Sequence, residues 1–144
     1  RVLEASVTIN EKVVSKIKNG LLVLVGIVDE DSKDDIDWLT KKIVNLRIFN
    51  DKNDVMNNSL IDVDGDAIIV SQFTLQASTK KGNRPSYIKA AKPEVAIPLY
   101  NQFVSQFELE LNKKVGTGEF GADMKVALIN DGPVTIIINS KQRD

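Results

Sequence analysis

The sequence predicts a mixed α/β fold, and three observations carry that prediction. Short apolar stretches bounded by turn residues recur along the chain as strands do: Val2 to Ile9, Val13 to Ile17, Leu21 to Val28, Ala67 to Leu75, Lys125 to Ile129 and Val134 to Ile138. Between them, apolar residues return at helical spacing twice, as Ile36, Leu39, Ile43 and Leu46, then as Leu99, Phe103, Phe107 and Leu111. The chain has 144 residues, 42% of them hydrophobic, which suffices for one domain over residues 1–144 with a core that needs no disulfide or metal staple.

In order, Val2 to Ile9 and Val13 to Ile17 flank a turn at Asn10-Glu11-Lys12, and Asn19-Gly20 turns into Leu21 to Val28. These three read as a meander. Ser32 is placed as an N-cap with Asp35 three residues on, and the acidic first turn suits the positive end of the helix dipole. Arg47 to Asn50 reads as a short strand and Asp51 to Asn58 as loop. Asp64-Gly65 is a hairpin signal leading into Ala67 to Leu75. The second helix is expected over Glu94 to Asn112, with Pro93 at its first position and Pro98 costing it a hydrogen bond or a kink.

Several classes of chemistry fall away on composition. With no histidine, a Ser-His-carboxylate triad, an imidazole base and the common catalytic zinc sites are excluded. With no cysteine there is no thiol nucleophile and no disulfide framework, which suits a cytoplasmic protein. The longest apolar run, Leu21 to Val28, is far too short to span a membrane. The chain opens at Arg1 without an initiator Met, so a few preceding residues are expected, and no signal peptide is visible. Asp62, Asp64 and Asp66 resemble the start of a calcium loop, but position twelve is Phe73 instead of a bidentate Glu, so no metal is expected.

Two stretches resist a purely structural reading. In Ser71-Gln72-Phe73-Thr74-Leu75 polar groups replace the apolar residues with which a central strand would continue. Either they mark a ligand site at the strand's end or they simply leave the core. In Asn130-Asp131-Gly132-Pro133-Val134-Thr135, Pro removes a ladder donor just where a second strand should begin pairing. The plainer reading there is a turn, with Asp-Gly reversing the chain and Pro setting φ for the strand that follows.

Taken together, SQFTL at 71–75 and NDGPVT at 130–135 resemble the paired signature motifs of the D-aminoacyl-tRNA deacylase family. Arg1-Val2, Gly20 to Leu24, Leu46 to Phe49, Lys80 to Pro85 and Gly118 to Met124 extend the resemblance, in order, over essentially the whole chain. The resemblance implies a compact β-barrel-like mixed sheet with two main helices, forming a homodimer with active sites at the subunit interface. It implies an ester hydrolase that frees D-amino acids from tRNA, glycine included, without cofactor. Gly132-Pro133 would be a cis peptide whose carbonyls project into the partner's site and reject L-aminoacyl esters by clash. Arg1 would brace that turn. Ser71, Gln72, Phe73 and Thr74 would form the catalytic segment, with backbone amides near Phe73 and Thr74 as oxyanion donors.

Thr74 is the one obvious hydroxyl nucleophile, yet no base accompanies it in the sequence, so the substrate's own ribose 2′-hydroxyl is the expected activator of water. Phe73, Phe120 and Met124 would line an adenosine pocket, although Phe120 and Met124 read equally well as core. Net charge is only −1, against a broad nucleic-acid surface, but Lys80, Lys81, Arg84, Lys89 and Lys92 form an acid-free run suited to a few tRNA phosphates or to a solvated loop. A related deacylase editing L-aminoacyl-tRNA, a non-catalytic RNA-binding module of the same fold, and a small dimeric binding protein remain as alternatives.

Overall fold

The computed structural model describes residues 1–143. β1 (Val2–Ile9) turns into β2 (Lys12–Ile17) through Asn10 and Glu11, whose positive φ values of 49° and 64° are what a tight hairpin requires. The expected meander does not follow. Ala5 faces Ile17 and Val2 faces Gly20 in one continuous antiparallel register, so β3 (Gly20–Val25) begins on the same edge of β1 as β2 and then bends away. Asn19-Gly20 is a corner and not a reversal.

From that corner β3 runs parallel to β6 (Asp66–Ser71), which in turn pairs parallel with the short β7 (Gly116–Thr117). The Ser15 hydroxyl on β2 accepts the Thr117 amide at 3.0 Å and donates to the Thr117 carbonyl, tying β7 back to β2. The sheet is thereby nearly closed into a barrel. β8 (Lys125–Asn130) lies along the other edge of β1, with Ala5 opposite Leu128 and Val7 opposite Val126. β4 (Phe49–Asn50) and β5 (Met56–Asn58) pair separately, so the segment expected to be loop from 51 to 58 ends in a strand. Asp64, at a φ of 49°, does turn the chain, but no hairpin results because β6 pairs with β3 and not with β5.

β6 is buried on both faces, as a central parallel strand is. Ala67 and Ile69 face the helices, while Ile68 and Val70 face the barrel interior with Val2, Ala5 and Val7. Two helices cover the outer face and pack on each other: α1 (Lys33–Asn45) and α2 (Pro93–Leu111). α1 starts where the Ser32 amide donates to the Asp35 carboxylate at 2.9 Å. Its buried face is Ile36, Thr40 and Val44, a shift from the expected stripe, in which Leu39 and Ile43 are only half-buried and Leu46 lies beyond the helix end. Thr40 is tolerated there because its hydroxyl donates to the Ile36 carbonyl at 2.8 Å. α2 begins at Pro93, continues through Pro98 and buries Ala96, Tyr100, Phe103, Phe107 and Leu111.

Two strand expectations fail. Ala67 to Leu75 ends as a strand at Ser71 and becomes a 3₁₀ turn over Phe73–Gln76. Val134 to Ile138 forms no strand with any described residue, and Ile137 is 94% exposed. Apolar alternation makes a strand only where a neighbour supplies the ladder. The end of this segment is instead held by charge. Lys141 donates to Asp35 at 2.8 Å and to the Glu30 carbonyl at 3.1 Å, while Arg143 pairs with Asp34 at 2.7 Å and lies 4.8 Å from the Trp38 ring centre.

Burial opposes ionisation of Asp35, but bonds from Lys141 and the Ser32 amide outweigh it and hold its pKa down to about 2, from an ordinary 3.8. A depressed carboxylate pKa stabilises the fold above the unfolded value, and that contribution is lost as pH falls through the folded one. Melting temperature should therefore drop between about pH 4 and pH 2, and less steeply in Asp35→Asn. Identical slopes in the two proteins would refute this role.

Candidate active site

A cavity of about 590 Å³ opens where β3 and β6 end, beside the loop that leads into β8. The end of a central parallel strand is where open α/β sheets offer ligand space. The structure brings Ser71, Gln72, Phe73, Thr74, Phe120 and Met124 together around this one cavity, over a floor that includes Val25, Ile27 and Val70. Gly121, Ala122, Asp123, Leu128, Ala91 and Ala96 also line it. Residues 121–123 stand inside a stretch already quoted for the resemblance, between the two residues singled out. Ala91 and Ala96 carried no sequence signal beyond their small size.

The 3₁₀ turn gives the site its backbone. The Gln72 amide still donates to the Val25 carbonyl at 2.8 Å, which closes the β-ladder, and the first bond of the turn is Leu75 amide to Gln72 carbonyl at 3.3 Å. The amides of Phe73 and Thr74 fall between these two bonds and have no carbonyl of the turn to pair with, as the first amides of any helical turn have none. The Gln72 side-chain amide donates to the Thr74 hydroxyl at 3.0 Å. A carboxamide is not a base in either orientation, so among the described residues Thr74 has no partner that could take its proton.

Phe120 is half-buried and held from below by Tyr100, with ring centres 6.1 Å apart. The Tyr100 hydroxyl donates to the Ile69 carbonyl at 2.6 Å, and burial raises its pKa to about 12, so it stays a neutral donor. Met124 packs against the barrel-side core. Both readings of Phe120 and Met124 therefore meet in one place: each packs on the core and lines the cavity. Asp123 stands at the rim with Lys125 at 3.0 Å, an exposed pair.

Gly132 and Pro133 lie elsewhere. They follow β8, are exposed, do not line this cavity, and are joined by a cis peptide. The loop around them is closed by its own residues: the Asn130 side chain accepts the Val134 amide at 2.9 Å and donates to the Thr135 hydroxyl at 2.8 Å. Arg1, with its side chain 8% exposed, donates to the Asp131 carbonyl at 3.0 Å and the Ile48 carbonyl at 2.8 Å, linking this loop to the start of β4. The carbonyls of Gly132 and Pro133 accept no hydrogen bond among the described residues. Lys80, Lys81 and Arg84 are exposed on a loop closed by reciprocal Ser78 and Ser86 bonds at 2.8 and 2.9 Å, and none forms an ion pair among the described residues.

A family model described as D-Tyr-tRNA(Tyr) deacylase matches residues 1–139. The chain belongs to the D-Tyr-tRNA(Tyr) deacylase family. Relatives of this deacylase family include a D-aminoacyl-tRNA deacylase of Flavobacterium psychrophilum, 70% identical over all of this chain and 96% of its own length. One from Christiangramia forsetii is 68% identical, covering 99% of this chain and 95% of its own. Among solved structures, the c-Myc DNA unwinding element binding protein superposes with a TM-score of 0.87 at 40% identity, over 94% of this chain and 92% of that one. A probable eukaryotic D-amino acid tRNA deacylase superposes at 0.78 with 17% identity over 91% of each chain, a likeness of fold. The barrel-like mixed α/β architecture expected from the resemblance is the one observed. Among the described residues no helix is long and apolar enough to cross a membrane.

Proposed function

We propose that this protein hydrolyses the ester of D-aminoacyl-tRNA, releasing the D-amino acid and the tRNA. The observation that carries the reading is the Phe73–Gln76 turn: two amides without a bonding partner and a hydroxyl without a base among the described residues, beside a cavity lined by Phe120 and Met124. An aminoacyl ester is already activated, so positioning and oxyanion stabilisation suffice. Water attacks the ester carbonyl, the Phe73 and Thr74 amides receive the developing oxyanion, and the ribose oxygen leaves with a proton. The 2′-hydroxyl of the substrate's terminal ribose relays the proton from water. The adenosine lies against Phe120 and Met124, Ser71 and Gln72 orient the ester, and Lys80, Lys81 and Arg84 hold phosphates of the tRNA end.

Chirality is read by main chain. The carbonyls of Gly132 and Pro133 reach the cavity of a second copy in a homodimer, accept the substrate's α-ammonium and clash with an L side chain. Arg1 braces their loop. Because the filter grips no side chain, glycyl-tRNA is also a substrate. What supports the dimer is the exposure of Leu128, Ile129, Ile136 and Ile137, apolar residues flanking the Gly132-Pro133 loop. The work is chirality proofreading in the cytoplasm, where charged tRNA is used.

Incubation with D- and L-tyrosyl-tRNA tests the reading: the D-ester should be cleaved and the L-ester should persist. Equal cleavage, or cleavage of the L-ester alone, would favour an L-editing deacylase, and persistence of both would favour a non-catalytic RNA-binding module. Thr74→Ala should keep activity within about tenfold, the loss of one positioning contact. Complete loss with the fold intact would assign Thr74 as nucleophile.

A further inference from the structure

The Phe73 ring lines the cavity yet is 56% exposed, and its outer side meets Tyr87 edge-on, with centroids 5.1 Å apart and planes at 78°. Tyr87 is itself 39% exposed. In an edge-on pair one ring's two faces are left uncovered by its partner, and both rings here are partly exposed. The backbone carrying Tyr87 is rooted: Ser86 pairs with Ser78, the Ala90 amide donates to the Tyr87 carbonyl at 3.0 Å, and the Ala91 amide donates to the Ile27 carbonyl at 2.8 Å. A core role would have buried these rings, and here the 3₁₀ turn holds Phe73 and the anchored loop holds Tyr87, both partly exposed.

Charge identifies the occupant. No acid occurs between Asp66 and Glu94, while Lys80, Lys81, Arg84, Lys89 and Lys92 all fall there. Partly exposed aromatic rings in a segment whose cations form no ion pair among the described residues match the chemistry of a single-stranded polynucleotide, whose bases stack and whose phosphates need counter-charge. An apolar protein partner would find no complement for five cations.

We propose that Tyr87, backed by Phe73, is a stacking platform for the unpaired base immediately 5′ of the terminal adenosine, with its phosphate facing Lys80, Lys81 and Arg84. This rests on the deacylase reading, which places the adenosine in the cavity that Phe73 borders. The platform makes the enzyme read an RNA end and not only an aminoacylated nucleoside.

Steady-state kinetics on two minimal substrates test it: D-tyrosyl-adenosine and the D-tyrosyl ester of the trinucleotide cytidylyl-cytidylyl-adenosine. The wild type should show a lower KM for the trinucleotide ester, and Tyr87→Ala should shrink that preference about tenfold through KM, with kcat for the two esters falling no further apart. Tyr87→Trp should restore it, since any aromatic face serves. An unchanged preference in Tyr87→Ala, or a loss that Trp does not restore, would overturn the platform while leaving the deacylase reading standing. A wild type that cleaves neither ester nor D-tyrosyl-tRNA would remove both.

Discussion

Alanine at position 132 is expected to reduce kcat/KM for D-tyrosyl-tRNA at least about a hundredfold and to narrow the gap between D- and L-esters. Gly132 has a φ of 131°, a backbone state that L-residues rarely adopt. A Cβ there would lie 2.6 Å from the Val134 Cγ2, 2.9 Å from the Val134 nitrogen and 3.2 Å from the Arg1 guanidinium. The loop must move, and the Asn130 bond to Val134 and the Arg1 bond to Asp131 must move with it. A displacement of about 1 Å at a positioning group is enough for a hundredfold loss. Because the loop is exposed, melting temperature should fall only slightly. Parallel deacylation assays on both stereoisomers check this, and unchanged rate and selectivity would remove Gly132 from the proposed filter.

Gly20→Ala should be the most destabilising single-methyl substitution among the positions discussed. At the corner where β2 becomes β3, an added Cβ would fall 1.8 Å from the Asp66 carbonyl oxygen, with the carbonyl carbon and nitrogen of the same residue within 2.9 Å. These are backbone atoms of the adjacent strand, and Gly20 pairs with both Val2 and Asp66. An alanine has no rotamer that relieves the clash, so β3 and β6 must separate at this point. Overpacking typically costs about 1–3 kcal/mol, and this backbone clash should reach at least the upper end, lowering the melting temperature by about 10 °C. Gly82→Ala is the control: its φ is 72°, but nothing lies within 4 Å of the added carbon, so only a local conformational penalty of about 1 kcal/mol applies. Equal melting temperatures for the two variants would refute the packing argument.

Local rules that need no partner were legible in the sequence. The Ser32 and Asp35 cap, the hairpin at Asn10-Glu11, Pro93 at the head of α2 and the Leu99-to-Leu111 stripe depend on neighbours a few residues away. What escaped depends on distant pairing. β3 looked like a third hairpin strand, but its parallel partner is β6, far along the chain, and no local pattern names it. The 3₁₀ turn at Phe73–Gln76 hid behind strand-like residues because the strand's own ladder ends at Gln72. Thr40 could not be read as buried, since its hydroxyl is satisfied by the helix it sits in. For the candidate site, the motif at 71–75 pointed to a segment that lines the cavity, whereas the motif at 130–135 falls on a loop outside it. The sequence offered no sign that Tyr87 stands against Phe73, because that contact depends on how the 78–86 loop is closed.

The pairing of β1 with β8 also has a consequence for the order of events during synthesis. Thr8 waits for Lys125 and Val2 for Asn130, so β1 has one edge open until residues 125–130 have left the ribosome. Long-range pairings of this kind slow folding and leave an adhesive edge exposed meanwhile. Glu4, exposed near the start of β1, places a charge beside that edge during the wait. The Gly132-Pro133 loop is set only when this last strand docks, so the nascent chain acquires its proposed selectivity at the same moment that its sheet is completed.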